Sequence, residues 1–129
     1  MRFVADASTV VAYLLGEGSA AERVALLGNA HAPAFVDVEV TQTLRGLVRG
    51  AKLDVRTAET GRLELAELQL ARHPDAALLP RAWQLRDVCT TYDALYVALA
   101  EALDATLVTR DERLARGAAD FVAVSTPEA

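Results

Sequence analysis

The apolar runs of this chain are very short, and that constrains its fold more than any other feature. Phe3-Val4-Ala5, Ala105-Thr106-Leu107-Val108 and Phe121-Val122-Ala123-Val124 each last three or four residues, and segments of helical periodicity separate them. A short run that does not alternate with polar residues is buried on both faces. Strands of that kind, interleaved with helices, predict a mainly parallel sheet of about four or five strands covered on both sides, a three-layer α/β/α sandwich. At 129 residues the chain is long enough for one such core, and no repeat, linker or low-complexity stretch divides it, so residues 1–129 are expected to form a single domain.

The helix signals are local and specific. Ala7 to Leu15 reads as a helix closed by Gly16 and Gly18. Ser19, with Glu22 three residues on, makes a capping box for a helix ending at Gly28. His31-Ala32-Pro33 is a weak strand or connector. A third helix runs from about Phe35 to Arg49, stopped by Gly50, and Asp54 caps a fourth from Val55 to about Arg72. These two are expected to form a hairpin standing off the sheet, a place for a protein partner to dock. Ala77-Leu78-Leu79 is a strand candidate, and Pro80 opens a short helix through about Val88. Thr90 and Thr91 cap a helix from Tyr92 to Leu103, and Asp111 to Arg116 forms a short one.

Four acids fall where a merely solvated charge would be out of place. Asp6 ends the first strand, Glu39 sits among Val36, Val38 and Val40, Asp93 lies in the first turn of its helix, and Asp111 follows the strand that ends at Val108. Singly, each has a plainer reading as a cap, a helix-dipole partner or an exposed position. As a set they belong to one edge, because strand ends and following helix starts share the ligand-binding edge of an open α/β sheet. Two unit charges 4 Å apart repel by about 4 kcal/mol at an effective dielectric of 20. Four together require protonation, separation or cations, and an all-oxygen donor set selects Mg²⁺ or Mn²⁺. Such a site suits in-line hydrolysis of a phosphodiester.

Here the chain resembles a known family. V-A-D-A-S-T-V-V-A-Y-L-L, V-E-V-T-Q-T-L-R, Y-D-A-L-Y-V-A-L-A and L-V-T-R-D-E-R-L, in that order, resemble the PIN domain, and within it the VapC-type toxins of bacterial toxin–antitoxin systems. The resemblance spans Arg2 to about Val124. It implies a PIN-like nuclease fold and a Mg²⁺- or Mn²⁺-dependent endoribonuclease that cuts tRNA or ribosomal RNA. It also implies a homodimer and a cognate VapB-type antitoxin through which the complex binds operator DNA. By position it carries the family's acidic quartet onto Asp6, Glu39, Asp93 and Asp111, as catalytic residues and metal ligands. Ser8 is expected to tie the Asp6 loop, and Thr109 to help a metal-bound water or a phosphate. Asp37 departs from the pattern, standing where the family is often apolar, as a cap or a supporting acid.

Other chemistries lack their parts. His31, His73 and Cys89 have no zinc-ligand spacing. There is no nucleophile elbow and no phosphate-cradling glycine loop. A phosphatase-like α/β enzyme would need a second aspartate two residues after Asp6, where Ser8 stands. A PIN-like module that binds RNA or protein without cutting remains the non-enzymatic alternative. The lone cysteine excludes an internal disulfide and fits the cytoplasm. The start of the chain lacks a signal-peptide pattern, and no run of about 18 apolar residues is present to span a membrane.

A formal charge of −5 argues against a broad electrostatic RNA binder. Setting the four proposed ligands aside leaves 13 positive against 14 negative groups, a balance of −1. Contacts to RNA are then expected from a few arginines beside the acids, Arg110 and Arg113 with Arg116 near by. Arg45 and Arg49 read instead as a solvated helix face. The aromatic residues, Tyr92 among them, are too scattered to make a platform for successive bases, so sequence-tolerant stacking is not expected to be the main business of this chain.

Overall fold

The computed structural model describes residues 1–127 and contains five strands and seven α-helices among them. The strands are β1 (Phe3–Ala5), β2 (Ala30–Pro33), β3 (Ala71–His73), β4 (Thr106–Val108) and β5 (Val124–Ser125), and all neighbours pair in parallel. Successive strand residues face opposite sides of a sheet, so the complete burial of Val4 and Ala5, and of Leu107 beside Val108, means both faces are covered. The three-layer α/β sandwich expected from the short apolar runs is therefore present. No helix among the described residues is long and apolar enough to cross a membrane.

The strand order is β3-β2-β1-β4-β5. The chain builds outward from β1 in one direction and then returns to its other side with β4. In open parallel sheets the ligand crevice lies at that reversal, beyond the strand carboxyl ends. Asp6 follows β1 and Asp111 follows β4, so two of the four acids flank the crevice by topology alone.

Local sequence sets the helix ends. α1 (Ala7–Leu14) is capped by Asp6, which accepts from Thr9 N, and Gly16 beyond it takes a positive φ of 75°. The capping box at Ser19 and Glu22 opens α2 (Ala20–Leu27) as predicted. α3 (Val36–Arg49) ends at Gly50, and Asp54 caps α4 (Val55–Glu67). α5 (Leu79–Gln84) follows a 3-10 turn, Thr90 caps α6 (Thr91–Leu103), and Asp111 caps α7 (Glu112–Ala118).

Three expectations need correction. The fourth helix stops at Glu67, not near Arg72, and residues 71–73 form the edge strand β3. Apolar periodicity continues through Leu68, but that residue turns extended. Arg72 reaches back to satisfy free carbonyls at and beyond the helix end, donating to Leu65 O at 2.8 Å, Leu68 O at 3.0 Å and Leu70 O at 3.0 Å. The strand proposed at Ala77–Leu79 is consequently a 3-10 turn running into α5. The α3–α4 hairpin does not stand clear of the body either: Gly61 of α4 packs beside Leu14 of α1, with Leu44 of α3 at the same spot.

Candidate active site

The crevice at the reversal has two walls. On the first, Asp6 is 5% exposed, and Thr109 is fully buried beside it. Thr109 Oγ1 donates to Asp6 Oδ2 at 2.6 Å and Ser8 Oγ donates to Oδ1 at 2.7 Å; Thr9 N also donates to Oδ1. Burial raises the Asp6 carboxyl above its ordinary range, and these hydrogen bonds oppose the rise. Thr109 Oγ1 also accepts from Asp111 N, and Asp111 Oδ1 accepts from Arg113 N and Leu114 N at the start of α7. Thr109 therefore positions both aspartates from inside the protein. Its full burial replaces the expected contact with a water or phosphate.

Ser8 does tie the Asp6 loop, since its hydroxyl accepts from Arg110 N at 2.9 Å while donating to Asp6. The Arg110 side chain, expected to meet RNA, turns the other way. Its Nε and one terminal nitrogen donate to Glu22 Oε2 and Oε1, each at 2.7 Å, and that nitrogen also donates to Glu17 O. Glu22 is only 1% exposed, and the guanidinium holds its carboxyl below the ordinary value. A buried glutamate of the capping box thus anchors the loop that carries Thr109 and Asp111. The capping signal was legible in sequence, but its second partner, 88 residues away, was not.

The second wall comes from α3 and α6. Tyr96, 1% exposed, donates its hydroxyl to Glu39 Oε1 at 2.5 Å. Burial, the charge of Glu39 and that hydrogen bond all push the phenol upward, so it stays a donor. Burial also raises Glu39; the Tyr96 hydrogen bond opposes this, and the charges of Asp6, Asp93 and Asp111 add to it. Asp93 is raised by burial and by the charges of Asp111 and Asp6, against the pull of Arg113. Arg113 stands 3.6 Å from Asp93 Oδ2 and is otherwise well exposed. The four acids singled out in sequence thus act on one another electrostatically across the crevice.

Among the described residues no three His, Cys, Asp or Glu side chains are already gathered as a metal-holding group. Asp37 lies outside the crevice, paired with Arg72 at 3.0 Å, where it ties the start of α3 to β3. His31 and His73, distant in sequence, meet across β2 and β3 with ring nitrogens 2.9 Å apart, and Asn29 contacts the other nitrogen of His31. Cys89 is half-buried near Asp93, and burial raises its thiol.

Comparison with known proteins agrees with this geometry. The PIN domain family model matches residues 3–120. A VapC ribonuclease of Mycobacterium bovis is 39% identical over 111 residues, covering 86% of this chain and 87% of its own length. Ribonuclease VapC3 of Mycobacterium tuberculosis is 40% identical over 116 residues, covering 88% and 85%. The fold is shared with the crystal structure of VapBC2 from Rickettsia felis bound to a DNA fragment from its promoter, at a TM-score of 0.68 and 17% identity, over 98% of both chains. With a family model over most of its length and ribonuclease relatives at about 40% identity, the chain belongs to the PIN domain family, among the VapC ribonucleases.

Proposed function

We propose that this protein is a metal-dependent endoribonuclease, the toxin of a type II toxin–antitoxin pair, and that Asp6, Glu39, Asp93 and Asp111 are its catalytic acids and metal ligands. One observation carries the reading. The crevice holds four acids that raise or crowd one another, while Arg113 is the cation that opposes them at Asp93. A pocket so short of positive charge calls for cations, and its all-carboxylate donors fit hard divalent ions such as Mg²⁺ or Mn²⁺.

When bound, such an ion would activate water and stabilise the departing oxygen of a phosphodiester. The chain's own contribution is placement. Thr109 and Ser8 hold Asp6, the amides of α7 hold Asp111, and Tyr96 keeps Glu39 turned inward as a proton acceptor. Arg113, exposed beside Asp93, is the arginine positioned to meet an RNA phosphate.

The relatives named as ribonucleases support RNA as the substrate, with tRNA or ribosomal RNA as the class that would halt translation in the cytoplasm. The VapBC2 neighbour, a toxin–antitoxin complex bound to promoter DNA, supports a VapB-type antitoxin as the partner and operator DNA as a ligand of the complex. A homodimer of this chain, with the DNA contacted through the antitoxin, is what the family resemblance implies. One observation favours the alternative, a PIN-like module that binds without cutting: no three acids are pre-gathered among the described residues. A phosphatase-like reading has less support, because both Asp6 oxygens already accept hydrogen bonds, which blunts them as nucleophiles.

The test is cleavage of cellular RNA by the purified protein with Mg²⁺ or Mn²⁺, followed by end-mapping. Cleavage should vanish in EDTA and fall roughly 10²–10³-fold in Asp6→Asn and Asp93→Asn. Equal cutting by both variants would overturn the site; binding without any cleavage would leave the module reading standing.

A further inference from the structure

Glu39 and Tyr96 form one rung between α3 and α6, and four residues earlier on each chain segment stands a second rung of a different kind. The rings of Phe35 and Tyr92 stack with centroids 5.3 Å apart and planes inclined by 20°. Phe35 packs against the core, and its backbone N–H is fixed by Asp75 Oδ1 at 3.1 Å. Tyr92 is 60% exposed. The pair is therefore a firm step, supported by protein on the Phe35 side and open to solvent on the Tyr92 side. It also adjoins the acids directly: Asp93 follows Tyr92 in sequence, and Glu39 lies four residues beyond Phe35, about 6 Å or just over one helical turn along the axis.

We infer that the Tyr92 ring is a stacking platform for an unpaired nucleobase of the RNA whose phosphodiester enters the acidic crevice, an inference that rests on the ribonuclease reading. An aromatic face backed by a second ring is the element that recognises splayed-out bases in single-stranded RNA. The need for it follows from charge. With a net charge of −5 and Arg110 committed to Glu22, Arg113 is left as the exposed arginine beside the acids, so phosphate contacts there are few. Stacking attracts every base without regard to the sign of the surface, so the step supplies affinity where the acids repel. The bases it favours are those in loops or bulges, because a base held in a duplex cannot lie on it.

Two measurements test this. In the first, Tyr92→Trp is made together with Trp83→Phe, which removes the chain's one native tryptophan. The indole is then titrated with a random-sequence single-stranded RNA 12-mer and with an abasic sugar-phosphate chain of equal length. Quenching by the RNA alone supports the platform; no quenching, or equal quenching by both probes, overturns it. In the second, binding of the same 12-mer is compared in the Asp6→Asn background, where the RNA is not cut. Tyr92→Ala and Tyr92→Leu should bind about 5- to 150-fold more weakly, and Tyr92→Phe as the parent does. Unchanged affinity in the first two, or a change of oligomeric state alone, overturns the inference. Quenching in the Tyr92→Trp, Trp83→Phe protein alongside a parent that never cleaves sinks the ribonuclease reading and leaves the platform standing.

Discussion

The wall of the crevice built on β1 and β4 and the wall built on α3 and α6 contribute two acids each, yet they are held in opposite ways. Asp6 and Asp111 accept five hydrogen bonds between them, and behind them Arg110 locks onto the buried Glu22. Glu39 accepts one, from Tyr96, and Asp93 has a guanidinium at 3.6 Å. The physical consequence shows in the carboxyl groups themselves. Glu22, behind the first wall, is pulled below its ordinary value, while Glu39 and Asp93 are pushed above theirs. Behind the first wall the Glu22–Arg110 pair adds stability, while hydrogen bonds offset the burial that raises Asp6. In the second wall burial and like charges together raise both acids. The first is built by folding alone; on the proposed reading, the second is completed only when a cation and RNA arrive.

The largest effect should come from unlocking the first wall. Arg110→Ala leaves the Glu22 carboxylate buried and unpaired, and breaking a buried ion pair costs about 3–5 kcal/mol. Arg110 keeps about a third of its side chain in water, so about 3 kcal/mol is expected. Urea unfolding near neutral pH measures it. The pH dependence gives a second check. Glu22 is lowered on folding, so its contribution is full above its unfolded value and fades as pH falls through the folded one. The difference between parent and Arg110→Ala should therefore shrink on acidification. A difference that stays constant across that range would mean the pair does not hold the wall.

Next comes a substitution of opposite sign on the second wall. On the proposed reading Asp93→Asn lowers cleavage roughly 10²–10³-fold, but it removes a charge that burial, Asp111 and Asp6 already disfavour. A carboxyl raised on folding gives its stability below the unfolded value and loses it as pH rises through the folded value. The metal-free variant should thus be more stable than the parent at neutral pH, by about 0.5–1 kcal/mol after allowance for the lost pull of Arg113. Asp6→Ala is the matching experiment on the first wall. It deletes the cap of α1 and leaves the buried Thr109 hydroxyl without its acceptor, so it should lose about 2 kcal/mol. Thermal melts of both variants in EDTA decide it: two losses, or two gains, would erase the contrast between the walls.

Much of this was legible in sequence, and what was not has a common cause. The strands β1 and β4, the caps at Ser19, Asp54 and Thr90, and the acids themselves announce themselves within a few residues. Local chemistry sets them, so local reading finds them. The misplaced end of α4 depends on Arg72 turning back to carbonyls up to seven residues earlier and bridging to Asp37 on another helix. The role of Arg110 depends on Glu22, and the aromatic step on Phe35 meeting Tyr92, pairs that only the fold brings together. A charged residue beside a motif reads as a functional contact until its long-range partner is known. Thr109 shows the same limit from the other side: sequence placed it beside Asp111, and only the fold turns its hydroxyl inward onto Asp6.

The smallest and most discriminating effect should come from Tyr96→Phe. The phenol O–H stabilises the charged form of Glu39, so its loss raises that carboxyl further. If Glu39 must be ionised to act, the acid limb of the kcat/KM profile moves to higher pH, and activity on the alkaline side of that limb stays near the parent's. Stability follows the same group. Because Glu39 is already raised on folding, its charge costs stability as pH climbs through the folded value, and the variant should pay more of that cost above it than below. Water can partly replace the phenol at this half-buried carboxylate, which limits the effect to about 1 kcal/mol or less. The companion change on the first wall, Thr109→Val, cannot be relieved in that way, because Thr109 is sealed from solvent and serves Asp6 and Asp111 at once. It should lower activity at every pH without moving the limb. If Tyr96→Phe behaves like Thr109→Val, a uniform loss with no shift, then Tyr96 is packing and Glu39 is not poised by its neighbours; if only Tyr96→Phe moves the limb, titration belongs to the open wall and rigidity to the closed one.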